Sequence, residues 1–392
     1  MTEQIFIVGG EVEPPYFIGR DDEVKRIKVD LLSSAQNNVI IGPRRIGKTS
    51  LLKNLKNEVQ DDVLFAYANC RKITNLADLF RITTKSLVMA YEEKHRIKGL
   101  ARKFSDIFKG KITSATKSIS EIGGNIEYIG NVYLKFREQE IDENELISET
   151  FEFIENFAAE INEPIIIALD EFQELSKFNG NIFNTLKSHM DSQPNVRYIF
   201  SGSSISLLHD VFLKPESPLY LMAARIQIKP IEQKYVNAYI RSRLETQKIT
   251  ISEPALYRIY EYTAGYPFYF QKMGFLLYQM AIISMESKID VNDVDATFLA
   301  MLNELDSEFE ARYSNKFSRQ QQDILKYLSK DKTRRISEIA ADMQSPASSL
   351  TTSMKDLLNT MTIDKPKEGT YEIMDNVFRL WIKNNILVNS IN

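Results

Sequence analysis

Short apolar runs alternate with helix-like segments through the first part of the chain. The runs have the length of strands buried on both faces of a sheet, and they lie at residues 39–41, 63–68, 165–169, 196–200 and 226–230. Between them, apolar residues recur at helical spacing. Strands that alternate with helices predict an α/β fold with a layered parallel sheet. The ligand of such a sheet binds beyond the carboxyl ends of its strands.

From residue 231 onward the pattern is helical. Helices are predicted at residues 235–247, 253–263, 268–285 and 291–307. A small helical subdomain that follows a nucleotide-binding sheet can fold over the ligand, so we interpret these helices as a lid.

The end of the chain has three short helices followed by two alternating segments. The helices are predicted at residues 318–328, 336–343 and 347–358, and the alternating segments flank a Lys-Pro-Lys-Glu-Gly turn at residues 365–369. This combination predicts a winged helix-turn-helix, whose third helix enters the major groove of DNA. The alternative is that this unit docks on the sheet domain or on a partner protein.

Polar and basic residues of this C-terminal unit are the candidates for DNA contact. The exposed face of its third helix is predicted to carry Ser348, Ser349, Thr351, Thr352, Ser353 and Lys355. Phosphate contacts are predicted for Arg334, Arg335, Lys365 and Lys367.

A chain of 392 residues is too long for one ordinary core. We therefore expect a sheet domain at residues 1–230, a lid at 231–310 and a winged-helix domain at 311–392. Glycines, serines and threonines interrupt the pattern at about residues 100–135, which we interpret as an insertion in the sheet domain.

Composition places the chain among globular proteins, since 43% of residues are apolar and 26% are charged. No stretch approaches the roughly 20 apolar residues that span a bilayer. The first residues lack the basic and apolar regions of a signal peptide. We therefore expect a cytoplasmic protein without a membrane partner. The lone Cys70 has no cysteine partner and is interpreted as a small buried residue.

The net charge of −4 argues against bulk attraction to a polyanion. Residues 94–117 are an exception, because a single acid, Asp106, stands among Lys94, Arg96, Lys98, Arg102, Lys103, Lys109, Lys111 and Lys117. This basic patch could bind double-stranded DNA or an acidic partner. The alternative is a solvated helix face.

A glycine-rich loop follows the first apolar run and leads into a helix-forming segment. Its sequence is Gly42-Pro43-Arg44-Arg45-Ile46-Gly47-Lys48-Thr49, followed by Ser50. The spacing GxxxxGKT suits a polyphosphate, because backbone N–H groups close around the phosphates and the helix N-terminus adds a favourable dipole. Lys48 would reach the terminal phosphates, and Thr49 would ligate Mg²⁺. The alternative is a turn without a ligand.

Two carboxylates, Asp170 and Glu171, follow the apolar run at residues 165–169. At the carboxyl end of a central strand beside a phosphate loop, Asp170 would hold the Mg²⁺ shell. Glu171 would orient and deprotonate the attacking water. The alternative for Glu171 is a structural cap.

Residues on either side of these motifs are candidates for contact with a nucleotide base. Phe17, Ile18 and Gly19 precede the first strand and could cover the base, or belong to an arm that packs on the core. Tyr266 and Pro267 could press on the base from the lid, or form only the turn between two helices.

Three polar residues near the ends of later strands are candidates for phosphate contact. Ser201 and Ser203 end the strand expected next to the Asp-Glu strand, where either could touch the γ-phosphate or the water, or cap a helix. Arg225 stands just before the last predicted strand, where its guanidinium could approach phosphate.

The segments FIGR, GPRRIGKTSLL, ALDEFQEL, IFSGSS and TAGYPFY, followed by the predicted winged helix, occur in the order typical of the archaeal-type AAA+ ATPases. The chain resembles this family, which is similar to the STAND group of signal-transducing P-loop NTPases. The resemblance covers nearly the whole chain except the insertion. Its most specific parts are the double arginine of the loop and the phrase DEFQEL.

The resemblance implies a switch driven by ATP, ADP and Mg²⁺. It implies that Lys48 and Thr49 are Walker A residues, that Asp170 and Glu171 are Walker B residues, and that Ser203 lies near the first sensor. It also implies a lid that carries Gly265-Tyr266-Pro267 and a preference for adenine. One departure concerns the arginine finger: Leu221 and Met222 stand where family members often have Gly-Arg, so the resemblance assigns no arginine finger.

Two functions remain as hypotheses. The first is an ATPase that hydrolyses ATP slowly and uses the nucleotide state to reposition the lid and the winged helix, with a partner protein or a second copy as further partners. The second is a DNA-binding regulator that senses ATP with little turnover. An intact Glu171 favours hydrolysis. Kinase activity is a third option, although no phosphoryl acceptor site is marked in the sequence.

Overall fold

The computed structural model describes residues 4–34, 36–96, 143–178, 181–203 and 205–387. The predicted insertion at residues 100–135 and most of the basic patch lie outside these residues. The chain splits into two compact units. The sheet unit comprises Asp21–Gly42 and Lys48–Ile228, and the helical unit comprises Met1–Arg20, Pro43–Gly47 and Lys229–Asn392. The three domains expected from the sequence stay a prediction.

A five-stranded parallel sheet forms the centre of the sheet unit. Its strands, in chain order, are β1 (Asn38–Ile41), β2 (Leu64–Asn69), β3 (Ile165–Asp170), β4 (Val196–Gly202) and β5 (Ala224–Gln227). In space their order is β2-β3-β4-β1-β5. Every residue of β1 and β3 is buried, which explains why both read as continuous apolar runs. The predicted α/β fold is confirmed.

β5 differs from its predicted position, because it begins at Ala224 and ends at Gln227 rather than running over residues 226–230. As the outer strand among those described, it pairs with β1 alone. β1 ends at Ile41, so the ladder stops soon afterwards, with a last hydrogen bond of 2.9 Å from the Ile228 N–H to the Ile41 carbonyl.

Six helices accompany the sheet in the described part of this unit. They are α1 (Asp21–Leu32), α2 (Lys48–Val59), α3 (Leu76–His95), α4 (Glu143–Ile161), α5 (Asn181–Ser192) and α6 (Ile205–Phe212). In α4, Ile147, Phe151, Ile154 and Phe157 are buried, as their helical spacing predicts.

The helical unit begins its regular structure with four longer helices. They are α7 (Gln233–Glu245), α8 (Glu253–Thr263), α9 (Pro267–Ser284) and α10 (Val291–Lys316). A short parallel pair, β6 (Thr250–Ile251) and β7 (Lys288–Ile289), lies among them. The prediction that α10 ends at residue 307 is wrong. Leu305, Phe309 and Tyr313 continue the buried stripe every four residues, so the helix extends to Lys316.

The C-terminal elements agree with the predicted three helices and hairpin. They are α11 (Arg319–Leu328), β8 (Arg334–Arg335), α12 (Ile336–Asp342), α13 (Thr351–Asn359), β9 (Ile363–Lys367), β10 (Thr370–Ile373) and α14 (Asn376–Trp381). The strands form an antiparallel sheet in the order β8-β10-β9. The predicted hairpin is confirmed, whereas recognition of DNA by this unit stays a prediction.

Two predicted DNA-facing residues are held inside the protein. Ser353 is only 8% exposed, because its hydroxyl donates to the Gln320 side chain of α11. The side chain of Arg334 is 11% exposed and pairs with Asp342 at 2.6 Å. Neither side chain is available to a phosphate in this arrangement.

The helices in the described part of the chain differ from membrane-spanning segments. No helix there combines the length and the apolar character that crossing a bilayer requires.

Candidate functional site

The phosphate loop connects the end of β1 to the start of α2, as the sequence predicts. β1 ends at Ile41 and α2 begins at Lys48, so the free N–H groups of the first helical turn lie directly after the loop. The Lys48 ammonium donates to the Gly42 carbonyl at 2.8 Å, across the base of the loop. Ser50, on the first turn of α2, is buried. This arrangement is suited to an anion.

The middle of the loop, Pro43–Gly47, belongs to the helical unit. Arg45 and Gly47 have left-handed backbones, with φ of 69° and 94°. Such a conformation turns successive N–H groups toward one side of the loop, where they can surround an anion. Arg20, which closes the FIGR segment, donates to the Ile46 carbonyl at 3.1 Å and fixes the loop from the N-terminal arm.

Thr49 and Asp170 meet at the carboxyl edge of the sheet, although they are 121 positions apart in the sequence. The Thr49 hydroxyl donates to Asp170 Oδ2 at 2.8 Å. The Tyr67 hydroxyl donates to the same oxygen at 2.9 Å, and the Glu171 N–H donates to Oδ1 at 3.0 Å. A hydroxyl beside a carboxylate fits Mg²⁺, which takes oxygen ligands and completes its shell with water and substrate phosphates.

Glu171 begins the turn after β3 with a left-handed backbone, at φ 54°. Its Oε1 accepts from Arg71 at 2.6 Å, and its Oε2 accepts from Ser203 at 2.9 Å and from Gln173. A left-handed conformation costs a residue other than glycine about 1 kcal/mol or more, and it directs this carboxylate to the three donors. Ser203 is thus held against the Glu171 carboxylate, and its contact with the γ-phosphate or the water stays a prediction.

The pKa of Glu171 is lowered from its ordinary value. Burial raises the pKa, but hydrogen bonds from Gln173 and Ser203, followed by the charges of Arg71 and Lys48, outweigh it. The carboxylate is therefore ionised at neutral pH, as a group that accepts a proton from water must be.

Sequence reasoning missed Tyr67, Arg71 and Gln173. Tyr67 lies on β2 and Arg71 just after it, and β2 pairs with β3 along its length. The carboxyl-edge rule would have identified both residues if the order of strands had been known. Gln173 stands two residues after Glu171 in DEFQ, and it touches Gly202. A Cβ on Gly202 would lie 2.0 Å from Gln173 Oε1, so only glycine leaves this amide in place.

Ser201 and Arg225 are the two other candidates for phosphate contact, and that contact stays a prediction for both. Ser201 is fully buried, and its hydroxyl has no hydrogen-bond partner among the described residues. Arg225 lies within β5 opposite Val39, and its guanidinium donates to Gln227 at 3.3 Å. The structure does not bring Arg225 to Asp170 or Glu171.

The predicted base contacts lie in the helical unit. Phe17 and Ile18 are half-buried, and a Cβ on Gly19 would lie 2.9 Å from an Ile231 methyl group. The Tyr266 ring is only 2% exposed. Pro267 is the first residue of α9, and its ring lies 3.8 Å from a Cβ built on Gly47. Contact with a base stays a prediction for all of them.

Solved structures with the same fold cover nearly the whole chain. A Walker-type ATPase of Pyrococcus abyssi superimposes with a TM-score of 0.66 at 21% identity, covering 97% of this chain and 100% of that one. The ORC2 protein of Aeropyrum pernix, solved in ADPNP and ADP complexes, gives a TM-score of 0.58 at 14% identity, covering 99% of this chain and 98% of that one. At these identities the likeness shows the fold alone.

The search among curated proteins found no match. A family comparison matches residues 17–273 to the family described as an ATPase domain predominantly from Archaea. This range contains the phosphate loop, the carboxylate pair and the donors around Glu171. The chain therefore belongs to this family of ATPase domains.

Proposed function

We propose that the protein binds ATP with Mg²⁺, hydrolyses it to ADP and phosphate, and uses the nucleotide state as a molecular switch. The observation that carries this proposal is the 2.8 Å hydrogen bond between Thr49 and Asp170. It joins the phosphate loop to the residue before Glu171. Two groups suited to one metal ion are thereby adjacent to a group suited to activating water.

Binding rests on the loop and on α2. Backbone N–H groups of residues 42–49 and the N-terminal turn of α2 receive the phosphates. Lys48 exchanges its present acceptor, the Gly42 carbonyl, for phosphate oxygens. The ADPNP and ADP complexes of the ORC2 neighbour support an adenine nucleotide over a guanine nucleotide.

Hydrolysis rests on the residues at the ends of β2, β3 and β4. Mg²⁺, held by Thr49 and Asp170, would neutralise charge on the β- and γ-phosphates. Glu171 orients a water molecule for in-line attack and accepts its proton. Ser203 holds the Glu171 carboxylate at 2.9 Å, so the base is in position before substrate arrives.

Two substitutions test the proposal. Lys48→Ala should abolish ATP binding, because it removes the charge that reaches the terminal phosphates. Glu171→Gln should keep ATP affinity close to that of the wild type and stop turnover, since an amide cannot accept the proton. Equilibrium binding of ATP and release of phosphate measure the two effects. Turnover by the Glu171→Gln variant at the wild-type rate would show that Glu171 is not the base.

A second candidate is a DNA-binding regulator with little turnover. Thr351, Thr352 and Lys355 on α13 are exposed, and so are Lys365 and Lys367 on β9. These side chains could meet the backbone of double-stranded DNA. ATP turnover with and without duplex DNA, at two salt concentrations, separates the candidates. Salt-dependent DNA binding without turnover would favour the regulator, and DNA-independent turnover would favour the ATPase. Binding of a protein partner and self-association of the chain also stay predictions.

A further inference from the structure

Arg45 lies in the phosphate loop, yet its side chain is fastened to α9 and α10. Its guanidinium carbon stands 4.0 Å from the centroid of the Phe268 ring. It forms an ion pair with Glu308, and it donates a long hydrogen bond of 3.4 Å to the Tyr269 hydroxyl. Its backbone is left-handed, at φ 69°. The loop backbone that would surround phosphates is thus anchored through Arg45 to α9 and α10.

Tyr269 extends the contacts of Arg45 to Asp375, the residue that precedes α14. Its ring is 1% exposed, and its hydroxyl donates to Asp375 Oδ2 at 2.8 Å. Arg312 of α10 donates to the same oxygen at 2.7 Å. Burial raises the pKa of Tyr269 well above its ordinary value, so the hydroxyl keeps its proton and stays a donor.

Asp375 is also the N-cap of α14. Its Oδ1 accepts from the Phe378 N–H at 3.1 Å, which satisfies a free donor of the first helical turn. The next residue, Asn376, donates to the Glu261 and Tyr262 carbonyls at 2.9 Å. One carboxylate thus receives the contact from Tyr269 and sets the start of the last helix.

The contacts of Arg45 and Asp375 are shielded from water on at least one side, although the side chain of Glu308 is 55% exposed. The side chain of Arg45 is 23% exposed and that of Asp375 is 13% exposed. In surroundings of low dielectric constant, charge-assisted hydrogen bonds strengthen one another, and a broken link leaves an unsatisfied group. A displacement of Arg45 therefore changes the free energy of the contacts that Asp375 makes.

We propose that Arg45, Tyr269 and Asp375 form a relay that couples phosphate binding at the loop to the position of α14. This proposal rests on the proposed binding of ATP at the same loop. Phosphates that fix the loop backbone also fix the Arg45 Cα, and the stacked, ion-paired side chain transmits that position to Tyr269. Because coupling between two sites is reciprocal, the position of α14 in turn alters nucleotide affinity. Arg45 acts as a positioning residue.

Amide hydrogen exchange of residues 376–387 in the full-length protein, measured with and without saturating ATP and Mg²⁺, tests the relay. In the wild type, we expect ATP to slow exchange in this segment by about tenfold, within the usual range of coupling between sites. Tyr269→Phe removes one hydroxyl and keeps the ring. It should reduce the response to about twofold or less while ATP affinity falls by about fivefold at most. Arg45→Ala should lose the response as well.

Tyr313→Phe is the matched control. Tyr313 is a buried tyrosine of α10 whose hydroxyl donates to the Gln322 carbonyl at 2.8 Å, a contact outside the relay. The control loses a hydrogen bond of the same kind, so it should respond to ATP as the wild type does. A response lost equally in Tyr313→Phe and Tyr269→Phe would mean general loosening and would overturn the relay.

Failure of the relay differs from failure of the proposed function. If wild-type protein binds ATP but exchange at residues 376–387 does not change, the relay is wrong and the ATPase proposal stands. If Tyr269→Phe responds as strongly as the wild type, the relay is equally wrong. If wild-type protein binds no ATP while Lys48→Ala behaves identically, the proposed function fails and the relay fails with it.

Discussion

Arg71 places its guanidinium 2.6 Å from Glu171 Oε1, so a residue just after β2 restrains the carboxylate that follows β3. The other carboxylate oxygen accepts from Ser203 and Gln173. Both oxygens of the proposed base therefore accept hydrogen bonds, which stabilise the ionised form and lower its affinity for the proton of water. Arg71, whose side chain is 58% exposed, is the donor most easily exchanged for solvent.

Replacing Arg71 with Ala should raise ATP turnover by about two- to fivefold, because Oε1 becomes free and the carboxylate regains basicity. Steady-state phosphate release measures the change. Lys72→Ala is the control, since it removes an exposed neighbouring charge outside the carboxylate contacts and should leave the rate unchanged. A tenfold loss of turnover in Arg71→Ala would show instead that Arg71 is needed to position the base.

The pH dependence of turnover should report the environment of Glu171. Burial raises its pKa, but the donors Gln173 and Ser203 and the charges of Arg71 and Lys48 lower it further. The carboxylate therefore stays ionised as the pH falls, and the acid limb of kcat should lie below the ordinary glutamate value of about 4.3. Ser203→Ala removes one of the lowering hydrogen bonds, so its limb should move to higher pH. An unchanged limb in this variant would assign the titration to another group.

Replacing Tyr67 should change the affinity for Mg²⁺ rather than the affinity for the nucleotide. Its hydroxyl shares Asp170 Oδ2 with Thr49 and thus orients an expected metal ligand. Tyr67→Phe should weaken the apparent Mg²⁺ affinity during turnover by about tenfold, as is usual when a partner of a metal ligand is lost. Titration of turnover with Mg²⁺ measures it. Tyr198→Phe, which removes a buried hydroxyl bonded to Gln193, should leave the titration unchanged.

The sequence was sufficient for the parts of the site that depend on local pattern. The loop spacing and the apolar run before Asp170 each mark a strand that ends in functional groups. Because parallel strands end at one edge, their meeting could be predicted without coordinates. The contact between Thr49 and Asp170 is where these two strand ends meet.

Features that depend on strand order or on distant packing could not be predicted in this way. Arg71 reaches Glu171 because β2 pairs with β3, and periodicity does not contain that order. Ser353 is buried because α11 supplies Gln320. Helix α10 passes its predicted end because Phe309 and Tyr313 are covered, although Glu310 and Arg312 between them are charged. In each case a tertiary partner decides the outcome.

Gly265, in the turn between α8 and α9, is a position where the fold requires glycine. It has a left-handed backbone, at φ 74°, and its carbonyl accepts from the Ile231 N–H at 2.9 Å. A Cβ at this position would lie 2.1 Å from the Ile231 carbonyl oxygen, which is backbone and cannot rotate away. Gly265→Ala should therefore lower the unfolding free energy of the helical unit by about 3 kcal/mol or more, from steric overlap together with left-handed strain.

Gly369→Ala separates those two contributions. Gly369 has nearly the same φ, 75°, but a Cβ there meets no atom within 4 Å, so only the left-handed strain of about 1 kcal/mol remains. The single tryptophan of the chain, Trp381, is buried in α14 of the same unit, and its fluorescence during denaturant unfolding reports both variants. Equal losses for Gly265→Ala and Gly369→Ala would mean that the Ile231 carbonyl can move aside. A larger loss for Gly265→Ala would show that close approach of the two backbones, rather than strain, excludes every other residue from this turn.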